Sequence, residues 1–411
     1  MKIKGIMLIV FLMLCGILWG CEAKQKNEKD KVSLVVWSSE GEQVLLKKMA
    51  DEFCEKYKED AEIEIQVGVE NEDEFKYNYL KNVEKSADVF SFPNDQLYEL
   101  ISHESLLPIT LDAEHIIEGN GGENSRAVQS AMYDGKLYAC PKTASNGYFM
   151  FYNKKYFSKK DTESFDRMLE VAAQYGKKVS MDWSSGWYIY SFFGGAGFEL
   201  KLNPDGATNS CNWNETAGKY KGTDVAEAML RIASNEAFYN TNDKGFQKGV
   251  KDGEIIAGVS GTWDVDCVSK AYGTDYAATK LPTYTLCGEQ VQMSSFSGYK
   301  LVGVNATTKE PEWSQRLAEW ITNEENQRRR FVEMGEGPSN TRAAQSESVK
   351  NSPAIVALSR QSKYSIVQNV GKNYWGPSTT LGTVLASGNK DQLDLQKTLD
   401  EFVTEVEAPA E

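Results

Sequence analysis

Hydrophobic positions follow three rhythms along this chain, and the first covers only its beginning. Lys2 and Lys4 lead into an almost unbroken apolar run from Ile6 to Leu18, which stops at Leu18-Trp19-Gly20-Cys21 and gives way to the charged stretch Glu22 to Lys31. A positive start, a short apolar middle and a small residue at the cut site are what export machinery reads, and the run is too short and wrongly flanked to remain as a membrane span. Residues 1–20 are therefore expected to be a signal peptide, Cys21 the lipid-attachment residue of the mature chain, and 21–31 a linker. Acyl chains on Cys21 would hold a soluble domain at a membrane, at about 0.8 kcal/mol per buried CH₂. Trp19 is bulky for a lipidation box, so an ordinary cleaved leader is the alternative. Both predict a protein that works outside the cytoplasm.

Beyond the linker the pattern switches between the other two rhythms. Val32 to Trp37 is an apolar run of strand character that closes on the polar turn Ser38-Ser39-Glu40-Gly41. Leu45, Met49, Phe53 and Tyr57 fall near helical spacing with charges between them. Ile63, Ile65 and Val67 alternate with Glu64 and Gln66 as a strand does; Phe75, Tyr79 and Val83 predict another helix; Ala87 to Phe92 returns to strand. This β-α-β-α-β order predicts a parallel sheet covered by helices. Ligands of such sheets sit beyond the carboxyl ends of the strands, here Trp37 to Glu42 and Phe92 to Gln96. Farther on, Leu137 to Pro141 and Tyr148 to Tyr152 read as strands, Val225 to Ala233 as a helix, and Ile255 to Val259 as a strand running into Ser260-Gly-Thr-Trp-Asp264. Trp313 to Phe331 and Leu393 to Val406 have helical periodicity.

Composition narrows the classes. A chain of 411 residues exceeds what one hydrophobic core usually fills, so two lobes are expected. Losing Lys2 and Lys4 with the leader takes the net charge from −14 to −16, which disfavours nucleic acid and anionic lipid as partners. Cys54, Cys140, Cys211, Cys267 and Cys287 are odd in number and widely spaced, which argues against a zinc site or a disulfide framework and for free thiols. With His103 and His115 the only histidines, neither a metal nor a cofactor site is expected.

Several aromatic residues stand beside turns where strands end: Trp37, Phe92, Trp187, Trp263 and Trp375. A sugar ring has one face lined with C–H bonds and a rim of hydroxyls, so its binder needs aromatic faces for stacking and amides or carboxylates at the edges. Phe92 is followed by Asn94, Asp95 and Gln96, Trp263 by Asp264, and Trp37 by Glu40 and Glu42. Gly194-Gly195-Ala196-Gly197 lacks the Lys-Ser/Thr pair of a phosphate loop. No spacing singles out the paired carboxylates of a glycosidase, and Asp264-Val-Asp266 lacks the loop of a calcium site.

Motifs in order carry a resemblance over Val32 to about Val406. They are Val35-Val-Trp37-Ser-Ser-Glu40; Asp88-Val-Phe-Ser-Phe92-Pro-Asn94-Asp95-Gln96 with Leu106-Leu-Pro-Ile109; and Asp134-Gly-Lys-Leu-Tyr-Ala-Cys-Pro141 with Phe151-Tyr-Asn153. Gly253 to Trp263, Phe296 to Asn305, Trp313 to Gln327, and Tyr374-Trp375 before Ala386-Ser387-Gly388 complete the series. The chain resembles extracellular solute-binding proteins of ATP-binding-cassette importers, in the carbohydrate group typified by maltodextrin binders. The resemblance implies an α/β, two-lobed periplasmic-binding-protein-like fold with a hinge, each lobe a mainly parallel sheet flanked by helices. Lobe 1 would comprise 32–143 and 296–338, lobe 2 144–295 and 339–407, with sugar held between them.

Carried over, Glu40 and Glu42 become hydroxyl partners, Phe92 a stacking residue, and Asn94, Asp95 and Gln96 edge partners. Ser145-Asn146 stands where the family has an acid, leaving Asn146 as the contact. Trp187 or Tyr188 would stack in the second lobe; Trp263, with Asp264 beside it, and Trp375 are the firmest matches. The implied function is capture of maltooligosaccharides, chains of α-1,4-linked glucose units, by a lipid-anchored monomer on the extracellular face of the membrane for delivery to a permease. Another oligosaccharide as ligand, a sugar-presenting sensor lipoprotein, or a surface glycan-degrading enzyme are the other readings.

Overall fold

Parallel strands open the fold. In the computed structural model, which describes residues 29–70, 79 and 86–409, β1 (Asp30–Ser38) buries Val32, Leu34 and Val36 on one side. Helix α1 (Gln43–Lys56) lays Leu46 and Phe53 into the same core. β2 (Ala61–Val69) runs parallel to β1, with Val32 opposite Ile63 and Val36 opposite Val67, and β3 (Val89–Pro93) pairs in parallel on the other side. The expected leader, Cys21 and most of the predicted helix around Phe75 to Val83 lie outside the described residues.

β4 (Ala139–Asn153) is a single strand of 15 residues where the sequence pattern predicted two shorter ones. After it come β5 (Lys178–Ser180), α2 (Gly186–Ala196), β6 (Phe238–Tyr239), β7 (Ile255–Gly261), β8 (Tyr276–Thr279) and β9 (Ser295–Val304). The predicted helix Trp313 to Phe331 is two, α3 (Pro311–Thr322) and α4 (Glu324–Met334). Asn323 breaks it: its backbone is extended and its side chain caps α4 by accepting from Asn326 N. α5 (Pro353–Gln361), β10 (Ser365–Val367), α6 (Trp375–Ala386) and α7 (Leu395–Val406) finish the chain.

The main sheet runs β6-β5-β7-β4-β9-β3-β1-β2, with β8 paired to β4 and β10 to β9. It is parallel in its outer parts and antiparallel at its centre, where β4 and β9 pair with each other and with β7 and β3. The two lobes thus share one mixed sheet, and the strands flanking its centre are parallel in each lobe, β3-β1-β2 in the first and β7-β5-β6 in the second, as the resemblance implied. Its core is divided. One cluster holds Val32 to Cys140 and Leu301 to Ile321; the others hold residues from Tyr148 to Phe296 and from Ala354 to Val406. β4 and β9 cross between the clusters over residues 141–147 and 297–300. The third passage follows α4: Thr341 donates to Gly119 O on the first lobe, and packing against the second begins with α5, where Ala354 and Ala357 are buried. Away from the crossing strands the lobes also touch, Gly206 lying against the Tyr98 ring and Gly335 against Val265.

Five cysteines among the described residues are free thiols, Cys140 and Cys211 buried and Cys287 exposed.

Candidate functional site

An aromatic wall forms where the second lobe meets the crossing strands. Trp187 enters it from the first turn of α2, which Ser185 caps by accepting from Trp187 N. Its ring stacks on Phe296, 5.4 Å between centroids at 22°, and meets Tyr148 edge-on at 5.4 Å. Trp375, at the first position of α6, reaches the same Phe296 at 6.3 Å and Tyr374 at 5.1 Å. Phe296 is buried, and both tryptophans remain half-buried. The wall is braced from behind. Tyr374 OH donates to Gly186 O at 2.6 Å, and the Tyr148 hydroxyl accepts from Ser191 Oγ and Phe296 N. Burial pushes the Tyr148 and Tyr374 phenols up, so both stay protonated. α2 can approach α6 this closely because residue 186 is glycine; a Cβ there would lie 2.0 Å from Ser378 Oγ.

Trp263 follows β7 in a short turn, its ring folded over Gly261, where a Cβ would come within 2.0 Å of it. Gly261 pairs with Tyr148 across the sheet, so this third tryptophan flanks the aromatic wall.

Polar groups gather at the crossing. Asn94 donates to Gln368 O at 3.0 Å and accepts from Tyr299 N at 2.9 Å, while Asn146 Nδ2 reaches Gln368 Oε1 at 3.3 Å. All three carboxamides surround Gly298, and a Cβ there would meet Asn94 at 2.8 Å. Asn94 leaves the first lobe, Asn146 and Gly298 lie on the crossing strands, and Gln368 follows β10.

Some expected site residues go elsewhere. Phe92 is fully buried against Phe90 in the first lobe's core, with no face for a sugar. Glu42 is 1% exposed, accepting from Arg330 Nε at 2.7 Å and also from Lys142 Nζ and Ser38 Oγ. Its oxygens serve an ion cluster, and a buried charge needs such partners. Asp264 is buried, accepting from Ser260 Oγ at 2.6 Å and Gln247 Nε2 at 2.7 Å, with its carboxyl pushed up by burial against the pull of those bonds. Tyr188 is buried against Tyr148, so of the alternatives at this point Trp187 is the less buried residue. Glu40 is exposed in the turn after β1; Asp95 and Gln96 sit in the turn after β3, Gln96 buried. Trp37 is half-buried, its indole lying over Gly68.

Sequence reasoning missed Phe296 and Gln368 as site residues. Phe296 stood only as the first residue of the Phe296 to Asn305 motif, and Gln368 lies in a stretch without periodicity.

Residues 48–357 match the family described as "Bacterial extracellular solute-binding protein". The chain belongs to this family. Among relatives of this solute-binding protein, the galactooligosaccharide-binding protein of Bacillus subtilis (strain 168) is 27% identical over 326 residues, covering 74% of this chain and 73% of the relative. The maltooligosaccharide ABC transporter solute-binding lipoprotein of Streptococcus pneumoniae (strain ATCC BAA-255 / R6) is 23% identical over 319 residues, 74% and 72% of the two chains. A structure solved with acarbose superposes at TM-score 0.80 with 28% identity, over 92% of this chain and 99% of that one. The maltodextrin-binding protein MalE1 of L. casei BL23, solved without ligand, gives 0.75 at 23% identity over 92% and 99%. The two-lobed α/β architecture is common to the solute-binding proteins of this group. Among the described residues no helix is long and apolar enough to cross a membrane, and no group of His, Cys, Asp and Glu could hold a metal ion.

Proposed function

We propose that this solute-binding protein captures a neutral oligosaccharide between its lobes and delivers it to an ABC permease, with maltooligosaccharides as the first ligand class. The observation that carries this reading is the joint wall of Trp187, Phe296 and Trp375 beside the carboxamides of Asn94, Asn146 and Gln368. Apolar ring faces and uncharged hydrogen-bonding groups side by side match the C–H face and hydroxyl rim of a pyranose. Trp263 and Glu40 complete the proposed contacts, with Asp95 and Gln96 as neighbours.

The lobes are read as 32–143 with 296–338, and 144–295 with 339–407. A ligand touching both lobes supplies the differential affinity that favours closure. The chain is read as a monomer, tethered through acylated Cys21 at the extracellular face of the membrane.

Galactooligosaccharides are the second reading, favoured by the 27% identity to a relative named for binding them. Titration of the soluble chain with maltotriose, maltotetraose and a β-1,4-galactotriose, followed by tryptophan fluorescence and calorimetry, separates the two. A flat response across these and a wider neutral glycan panel would sink the carbohydrate reading.

A further inference from the structure

We propose that Thr143 and Glu336, with the indole N–H of Trp263, form a buried polar chamber at the hinge that receives a hydroxyl group of the bound sugar; this rests on the oligosaccharide reading above. Thr143 Oγ1, Glu336 Oε2 and Trp263 Nε1 are all buried, and none has a hydrogen-bond partner among the described residues. Leaving such atoms unsatisfied costs roughly 1–3 kcal/mol each, so an orphan group in a folded protein needs an explanation. Thr143 and Glu336 meet at one junction, and the turn that carries Trp263 reaches it through Thr262 and Val265. Thr143 lies on β4 directly opposite Lys300 of β9, and Lys300 Nζ donates to the other Glu336 oxygen at 2.9 Å. Ala144 N donates to Gly337 O, Gly337 N donates to Ser145 Oγ, and Thr143 bridges to Pro338, which binds the segment carrying Glu336 to the crossing strand. The turn of Trp263 closes on the same place: Thr262 Oγ1 donates to Ser145 O at 3.4 Å, and Val265 touches Gly335.

Thr143 and Glu336 are 1% and 5% exposed, yet they lie at the line where the two core clusters end, which is where separating lobes would open. A hydroxyl is the complementary group. It can donate to the Glu336 carboxylate while accepting from Thr143 Oγ1–H or Trp263 Nε1–H. Lys300 engages one carboxylate oxygen and leaves the other as an acceptor, so a carboxylate-bearing sugar meets repulsion there and a neutral one does not.

Thr143→Val and Glu336→Gln test this on the soluble chain by calorimetry with maltotriose, maltotetraose, β-1,4-galactotriose and cellotriose, with trigalacturonic acid as the anionic probe. For whichever neutral sugar the wild type binds, affinity should fall about fivefold in Thr143→Val and tenfold or more in Glu336→Gln. The ligand-free Tm of Thr143→Val should hold or rise, because the change removes a buried group that has no partner. Wild-type affinity in Thr143→Val, or a loss of affinity matched by a fall in its ligand-free Tm, overturns the chamber and leaves the oligosaccharide reading standing. Tight binding of trigalacturonic acid overturns it as well. Failure of the wild type to bind any neutral probe fails the functional reading first, and the chamber with it.

Discussion

Replacing Glu42 by alanine removes the carboxylate that Lys142 and Arg330 share. All three side chains are at most 2% exposed, and they join the turn after β1, the crossing strand β4 and helix α4. Breaking one side of a buried ion pair costs about 3–5 kcal/mol, because the partner is left charged and dry; here two cations are left. Against a typical stability of 5–15 kcal/mol this is a large fraction. At about 2–4 °C per kcal/mol for a lobe of this size, Tm should fall by roughly 10 °C. The assay is thermal and urea denaturation followed by circular dichroism, with exposed Glu40→Ala as a control that should stay within about 0.5 kcal/mol of wild type. Sugar affinity measured below the transition distinguishes the two roles considered for Glu42. A lowered affinity with an unchanged Tm would mean that Glu42 meets the ligand and that the ion cluster contributes nothing, which refutes the argument from burial.

Trp375→Ala and Trp187→Ala should each weaken binding of the cognate sugar by about 1 kcal/mol or more, read by calorimetry, since aromatic anchors often dominate recognition. Gly261→Ala puts a methyl within 2.0 Å of the Trp263 ring and should displace it, lowering sugar affinity and shifting tryptophan emission. Asp264 has its carboxyl raised from 3.8 mainly by burial, so the folded state favours the protonated form; its contribution is full at low pH and is lost as pH rises through the raised value. Asp264→Asn should therefore gain in Tm relative to wild type as pH is raised from below 3.8 toward neutrality, and a pH-independent difference would contradict this.

The opening β-α-β pattern was legible because its periods are strong: Ile63, Ile65 and Val67 alternate, and Leu45, Met49 and Phe53 share a helical face, as the structure has them. Residue type identified aromatics near strand ends but could not tell a half-buried ring from a core one. Phe92 and Trp187 look alike in sequence, and only the pairing of β3 with β9 puts Phe92 inside. Glu42 was misjudged for a related reason. Its cations come from 100 and 288 residues away, a separation that local spacing does not register. Asn94 and Asn146 were named as separate contacts, whereas Gln368, which joins them, sits in a stretch with no period to mark it.

The central position of β9 has a consequence for how the molecule is made. Residues 295–304 insert between β4 and β3, so the sheet has a gap at its middle until that late stretch leaves the ribosome. Segments synthesised earlier can form α1 or pair β1 with β2, but they lack the strand that joins both halves, and such non-local pairing is slow. A chain still threading through a narrow translocation pore would gain from that delay, because it has no finished lobe to unravel on the way out.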